Sequence, residues 1–112
     1  MQSNKQKKII INYFKYFNNQ DLSQLSKIFS KNIHLKDWEI DVRGVKNVID
    51  ANKKIFKKFP KIKVKIINIY FFKNEIFAII KIKLSKQNTI EVIDKFKMNN
   101  VNQIKEIRAY LG

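Results

Sequence analysis

The sequence predicts an α+β protein in which a curved, mostly antiparallel sheet wraps around three helices. Before the single proline, Pro60, most apolar residues recur at helical intervals, and after it they alternate with polar residues as in strands. A run of helices followed by a run of strands indicates the α+β class. A chain of 112 residues is enough for one core, so we expect a single domain over residues 1–112.

Three helices are predicted before Pro60. The first runs from about Asn4 to Asn18, with one apolar stripe at i, i+3, i+4 and i+7 formed by Ile10, Tyr13, Phe14 and Phe17. Asp21 is suited to cap a second, short helix with a buried side of Leu22, Leu25, Ile28 and Phe29. The third follows Gly44 and ends near Phe59, with an apolar face of Val45, Val48, Ile49, Ile55, Phe56 and Phe59.

The predicted strands come in two groups. A strand over Asn32–Asp37 and a short extended piece over Glu39–Arg43 precede Gly44. After Pro60 an apolar period of two predicts four strands joined by turns at 73–75, 85–88 and 99–100. Ile67 breaks the alternation, so we expect a β-bulge near Ile66–Asn68. The predicted inward residues of the last three strands are Ile76, Ala78, Ile80, Ile82 and Leu84; Ile90, Val92, Asp94, Phe96 and Met98; and Ile107, Ala109 and Leu111.

The composition excludes several classes of protein. Hydrophobic residues make up 45% of the chain, which is typical of a folded protein rather than a disordered one. No segment has 18 uncharged apolar residues, and the polar Met1–Lys8 does not resemble a secretory signal, so we expect a cytoplasmic protein without membrane contact. The chain has no cysteine and one histidine, His34, which argues against a metal site; no cofactor is expected either. The strand alternation predicts a surface position for His34.

The net charge of +15 raises the question of nucleic-acid binding. Lysine accounts for 22 of the 24 basic residues, whereas base recognition favours arginine, and the lysines are spread from Lys5 to Lys105. The chain is also rich in Ile and Asn, which like Lys have A/T-rich codons. Genomic base composition could therefore produce this charge, and we do not expect a nucleic-acid partner.

Asp94 is the first candidate for a functional residue. It shares a predicted strand face with Val92 and Phe96, and a carboxylate on an apolar face must be paired, hydrogen-bonded or protonated. It is therefore either a site residue with a raised pKa or a structural acid paired with a Lys or Arg on a neighbouring strand. A bulge that reverses the side-chain alternation is a further alternative.

Asp37 and Tyr13 are the other two candidates. Asp37 ends its strand in phase with Ile33 and Leu35 and should point to the interior, although a strand-end Asp commonly caps a turn. Tyr13 lies on the buried stripe of the first helix, where the ring of a Tyr most often serves packing. Both functional and structural roles stay open at this point.

Two segments resemble the nuclear transport factor 2 (NTF2)-like superfamily, in particular its SnoaL-like and steroid delta-isomerase-like members. The first is Tyr13-Phe14-Lys15-Tyr16-Phe17-Asn18-Asn19-Gln20-Asp21-Leu22, which is similar to the first helix and turn. The second is Ile93–Asn99 together with Ile104–Tyr110, which is similar to the final hairpin. The resemblance implies a cone-shaped (cystatin-like) roll that encloses one apolar pocket, and frequently a homodimer through the outer face of the sheet, where this chain has Phe77 and Ile79.

The same resemblance implies catalytic roles. In ketosteroid isomerase an Asp base moves a proton between two carbons, and a Tyr and a protonated Asp stabilise the developing oxyanion. Asp37 matches the base at the end of the first strand, Tyr13 matches the oxyanion Tyr, and Asp94 matches the protonated Asp. The expected pocket for a small apolar ligand is lined by Phe17, Trp38, Asn52, Phe56, Ile80, Val92 and Ala109.

Three functions remain open on the sequence. The first is an acid/base isomerase acting on a small apolar carbonyl compound. The second is a non-catalytic domain that binds an apolar or anionic metabolite in the same pocket. The third is a binder of nucleic acid or an acidic surface, which would need a contiguous lysine face.

Overall fold

Three helices and two strands lie before Pro60, and a meander of four strands follows it. The computed structural model describes residues 2–112, with side chains from Asn4 onward, and Met1 lies outside the described residues. The helices are α1 (Gln2–Asn18), α2 (Leu22–Ile28) and α3 (Val45–Lys58). The strands are β1 (Phe29–Lys36), β2 (Asp41–Arg43), β3 (Lys63–Phe72), β4 (Glu75–Ser85), β5 (Asn88–Met98) and β6 (Ile104–Leu111). This order confirms the predicted α+β class.

Local sequence signals explain where the helices begin and end. The α1 stripe of Ile10, Tyr13, Phe14 and Phe17 is buried, as its spacing predicts. Asp21 caps α2, since its side chain accepts a hydrogen bond of 3.1 Å from the backbone nitrogen of Gln24. The remaining helix, α3, starts after Gly44, whose φ of +90° is strained for other residues, and it stops just before Pro60.

The six strands form one mixed sheet in the order β2-β1-β6-β5-β4-β3. All neighbouring pairs are antiparallel except β1 and β6, which are parallel. The register between β3 and β4 shifts between Ile66 and Asn68, which confirms the predicted bulge. The inner face of the sheet packs on the buried residues of the helices, and between them they form the core. None of the described helices combines the length and apolarity needed to cross a membrane.

The structure corrects one local expectation and adds detail to two others. Phe29 is the first residue of β1 rather than part of the second helix, because it pairs with Ile104 of the distant strand β6. His34 lies on the outer face, as the alternation predicts, but its side chain is only 12% exposed and its Nε2 lies 2.6 Å from Oδ1 of Asp41. This hydrogen bond is the main cause that lowers the pKa of Asp41. Leu111 is paired with the buried residue Val92 and so lies on the inner face, as predicted, although it is half-exposed at the end of β6.

Candidate functional site

A cavity of about 840 Å³ lies between the helices and the inner face of the sheet. Its lining comes from α1, α3, the segment 37–42 and the inner residues of β3 to β6. Most of the lining side chains are apolar, and the volume is within the range that small-molecule sites occupy. The few polar groups inside it therefore determine what it can bind or do.

Asp94 lies on the inner face of β5 and lines this cavity. Its side-chain neighbours across the sheet are Ala78 on β4 and Ala109 on β6, and such small residues leave the space in front of the carboxyl open. Asp94 is 6% exposed, and no hydrogen bond or ion pair to another described residue accounts for its burial. Burial raises the pKa of Asp94 to about 7, and the negative charge of Asp37 contributes in the same direction.

This environment separates the alternatives for Asp94. The strand alternation holds through this position, because Val92 and Phe96 on either side are also buried. The ion pairs of the described residues on β5 belong to Lys95 and Lys97 on the opposite face, so Asp94 is not a salt-bridged structural acid. A buried carboxyl that is partly protonated at neutral pH can donate a hydrogen bond to a ligand.

Tyr13 projects from α1 to the same cavity. Its ring packs against Phe96, with the ring centroids 5.5 Å apart, and against Phe14 at 4.9 Å. Burial raises the pKa of the Tyr13 hydroxyl far above its ordinary value, and the negative charge of Asp94 raises it further. The phenol therefore keeps its proton and can act only as a hydrogen-bond donor or as a neutral acceptor. The ring serves packing while the hydroxyl lies near Asp94.

Asp37 follows the last residue of β1 and is the third polar group in the cavity. Its Oδ1 accepts hydrogen bonds from the backbone nitrogens of Glu39, at 2.7 Å, and Ile40, at 2.6 Å. Asp37 therefore caps the turn, as the structural alternative predicts. The turn fixes the direction of the carboxyl, and Oδ2 has no hydrogen bond to any part of the chain that the structure describes.

The structure also places the other residues of the expected pocket. Phe17, Trp38, Asn52, Ile80, Val92 and Ala109 all line the cavity. Phe56 does not: it is buried behind the cavity, with its ring centroid 5.0 Å from that of Phe17. Asn52, one turn earlier on α3, does line the cavity, and its side chain donates a hydrogen bond of 3.1 Å to the backbone oxygen of Val48.

Three further acidic residues line the cavity that the sequence analysis did not single out, namely Glu39, Asp41 and Asp50. A signal for two of them was present, because residues 37–41 contain three of the nine acidic residues in the chain. Asp50 gave no local signal, since only the packing of α3 over β1 and β2 places it there. Among the described residues no group of His, Asp and Glu has the arrangement of a metal site.

Among the residues that the sequence predicted, the cavity thus combines two proton-bearing groups, Tyr13 and Asp94, with the carboxylate of Asp37. Hydrogen-bond donors in a water-poor cavity stabilise a developing oxyanion more strongly than they would in water. A carboxylate on the same cavity can accept and return a proton. Groups of these kinds on one cavity allow acid/base chemistry on a neutral ligand, and they equally allow a carbonyl oxygen to be held without reaction.

The sequence matches no protein-family model and no curated protein sequence. Solved structures, in contrast, match the chain over nearly its whole length. A proposed SnoaL-like polyketide cyclase from Jannaschia sp. CCS1 has a TM-score of 0.85 at 13% identity, over 96% of this chain and 85% of that one. A proposed ketosteroid isomerase from Kribbella flavida has a TM-score of 0.83 at 6% identity, over 97% of this chain and 78% of that one.

A de novo designed protein with a curved β-sheet is about as similar, with a TM-score of 0.84 at 14% identity, over 100% of this chain and 88% of that one. The chain therefore has the NTF2-like fold, which confirms the resemblance at the level of architecture. The likeness to a designed protein illustrates that this architecture is compatible with different activities or none. Any assignment of activity has to rest on the cavity itself.

Proposed function

We propose that this protein is an acid/base isomerase that shifts a double bond in a small apolar carbonyl compound, in the manner of ketosteroid isomerase. The single observation that carries the proposal is the cavity of about 840 Å³ that Tyr13, Asp37 and Asp94 line together. The fold that the chain shares with a proposed ketosteroid isomerase from Kribbella flavida supports it.

In this proposal Asp37 is the base. Its Oδ1 is held by two backbone amides, so Oδ2 is the oxygen that takes a proton from the carbon next to the substrate carbonyl. The electrons of that C–H bond move into the conjugated system, and negative charge develops on the carbonyl oxygen. Asp37 then returns the proton to the far carbon of the former double bond, which leaves a conjugated enone.

Tyr13 and Asp94 stabilise the oxyanion in this scheme. Tyr13 donates through its hydroxyl, and Asp94 donates in its protonated form. Because burial and the charge of Asp37 raise the pKa of Asp94 to about 7, the protonated form predominates below that pH. We therefore expect turnover to fall as the pH rises through about 7, since Asp94 then loses the proton that it donates.

The test is the conversion of a β,γ-enone, either a 5-ene-3-ketosteroid or a simpler analogue, followed by the ultraviolet absorbance of the conjugated product. Asp37→Asn should reduce kcat by about 100-fold or more, in line with the typical contribution of a general base. Tyr13→Phe keeps the ring that packs on Phe96 and should reduce kcat by about 100-fold through the lost donor.

The control is Glu91→Gln, which removes an equal charge from the exposed face of β5 and should leave turnover unchanged. Unchanged rates in Asp37→Asn would exclude Asp37 as the base. Equal rates in Tyr13→Phe and the parent chain would restrict Tyr13 to packing.

A second candidate function is binding of an apolar metabolite without catalysis. The observation that favours it is the pair of backbone hydrogen bonds to Oδ1 of Asp37, which give this residue a sufficient structural role. In that case the enone binds and no product forms, in the parent chain as in the variants.

The outer face of the sheet supports a further part of the proposal, a homodimer. Cross-strand rows place Ile79, Ile93 and Tyr110 side by side on this face, and Tyr70 lies next to Phe77. Ile93, Tyr70 and Tyr110 are 40–52% exposed, which makes an apolar patch on a face otherwise rich in lysine. Light scattering should give a mass twice that of one chain. Ile93→Lys places a charge in the patch and should reduce the measured mass to that of one chain. A monomer at high concentration would contradict the dimer.

A further inference from the structure

The acidic and basic residues of this chain are distributed very differently around the cavity. Five of the nine acidic residues line it, whereas two of the 24 basic residues do. The acidic residues are Asp37, Glu39, Asp41, Asp50 and Asp94, and the basic ones are Lys54 and Lys58. A lysine excess caused by base composition should reach the cavity as often as the rest of the surface. The scarcity of lysine in the lining therefore distinguishes the cavity from the remainder of a protein with a charge of +15.

The acidic residues of the cavity fall into two groups. Asp94 is buried in the interior near Tyr13, and Asp37 is half-buried where β1 ends. Glu39, Asp41 and Asp50 are exposed and belong to the mouth, where the segment 37–42 faces α3. Asp41 already has partners in His34, at 2.6 Å, and Lys36, at 4.0 Å. Glu39 and Asp50 form no ion pair within the chain from Asn4 onward, so they are the carboxylates that a ligand can use.

The basic residues at the mouth offset these carboxylates only in part. Lys58 lies over the ring of Phe59, with Nζ 5.4 Å from the ring centroid. Lys54 is one helical turn after Asp50 on the exposed side of α3. The lining of the cavity as a whole therefore keeps more carboxylates than ammonium groups, five against two.

Trp38 adds an aromatic group to the same mouth. It is the only Trp of the chain, it lines the cavity, and it is 44% exposed between Asp37 and Glu39. Although the chain has 22 lysines, the cation–π contacts of the described residues involve Phe59 and Phe72, and none involves Trp38. An indole ring beside carboxylates is a favourable environment for an ammonium group.

A separate observation favours a ligand in the cavity. Asp94 is 6% exposed, lines the cavity and has no hydrogen-bond or ion-pair partner among the described side chains, so its carboxyl is available to a bound molecule. A ligand polar group at the inner end would satisfy Asp94, an apolar body would fill the middle, and the far end would reach the mouth.

We propose that the cavity binds a small apolar amine whose ammonium group lies at the mouth, with Trp38 as its aromatic contact and Glu39 and Asp50 as its counter-charges. This rests on the proposed function only in requiring that the cavity holds a small molecule, and it does not require turnover. It also replaces the anionic metabolite among the possible ligands, because an anion would meet these carboxylates at the entrance.

The test compares three ligands that share one apolar body: adamantan-1-amine, adamantan-1-ol and adamantane-1-carboxylate. Binding is followed by Trp38 fluorescence and by the melting temperature, in 0.15 M salt so that the long-range field of the lysines is screened. The amine should bind about fivefold more tightly than the alcohol, which corresponds to one cation–π contact with a carboxylate nearby. The carboxylate should bind more weakly than the alcohol.

Matched variants locate the effect. The double variant Glu39→Gln/Asp50→Asn should bring the amine to within about twofold of the alcohol, because only the contacts to the ammonium group are lost. The control Glu91→Gln/Glu106→Gln removes the same charge outside the cavity and should keep the preference of the parent chain.

Equal affinity of amine and alcohol, tightest binding of the carboxylate, or binding of none of the three would overturn the proposal. If the protein prefers the amine but does not convert enones, the isomerase function is wrong and this inference stands. If it converts enones but binds amine, alcohol and carboxylate equally well, the isomerase function stands and this inference is wrong.

Discussion

The two faces of strand β5 differ in whether their charged side chains have partners of opposite charge. On the outer face, Lys95 and Lys97 lie 3.3 and 3.6 Å from Oε2 of Glu75 and within 4.0 Å of Glu106. On the inner face, one residue away, Asp94 is buried without such a partner. The outer charges are partly exposed and mutually neutralised, which is usual for a sheet surface. The inner charge has no structural compensation, and this contrast makes the cavity the candidate functional site.

Among the changes considered, removing apolar contacts should lower the free energy of unfolding most, and only on the inner face of the sheet. Phe96 is fully buried between Tyr13 and Phe14, so Phe96→Ala should lower the free energy of unfolding by about 3–5 kcal/mol. Phe72→Ala, at a residue 63% exposed, should cost less than about 1 kcal/mol. Urea denaturation measures both. Similar losses for the two variants would contradict the assignment of inner and outer faces.

The next effect concerns Asp94 and depends on pH. Burial and the charge of Asp37 raise the pKa of Asp94 from 3.8 to about 7, so the folded chain keeps a proton that the unfolded chain releases between these values. The stability that this proton provides is complete below about pH 4 and is lost as the pH rises through about 7. Asp94→Asn, which cannot ionise, should match the parent chain at pH 4 and exceed it by about 2–4 kcal/mol at pH 8.

Glu91→Gln on the exposed face of the same strand is the matched control, and its stability difference from the parent chain should not change in this way with pH. A constant difference for Asp94→Asn from pH 4 to 8 would mean that Asp94 is not buried as described.

The smallest effect is expected for the outer ion pairs. Glu75→Gln removes the acceptor of both Lys95 and Lys97, yet partly exposed pairs of this kind typically contribute less than about 1 kcal/mol. The loss should shrink further in 1 M salt, where the Debye length is about 3 Å. Thermal unfolding at two salt concentrations measures it, and a loss of several kcal/mol that persists in high salt would contradict the contrast between the faces.

The order of elements and the inward residues could be predicted because they depend on local periodicity. The stripe through Ile10 and Phe17 on α1 and the alternation through Asp94 on β5 are examples, and both are as expected. The parallel pairing of β1 with β6 could not be predicted, since it joins segments about 70 residues apart. Because of this pairing, Phe29 belongs to β1 and not to the second helix.

The candidate site was predictable to a similar extent. Tyr13, Asp37 and Asp94 were identified because each is a polar residue at a position that periodicity assigns to the interior. Glu39 and Asp50 were missed because they are exposed polar residues on a turn and a helix, where charge is unremarkable. Only the packing of α3 against the segment 37–42 places them at one cavity mouth.

The proposed function depends most on the ionisation of Asp94 in the cavity that it shares with Tyr13 and Asp37. The direct measurement is a pH titration of the Asp94 side-chain carboxyl by ¹³C NMR, in the parent chain and in Asp37→Asn. The midpoint should lie near 7 in the parent chain and should decrease in the variant, because the neighbouring negative charge is gone. A midpoint near the ordinary value of 3.8, unaffected by the change at Asp37, would contradict the shared cavity on which the proposed function rests.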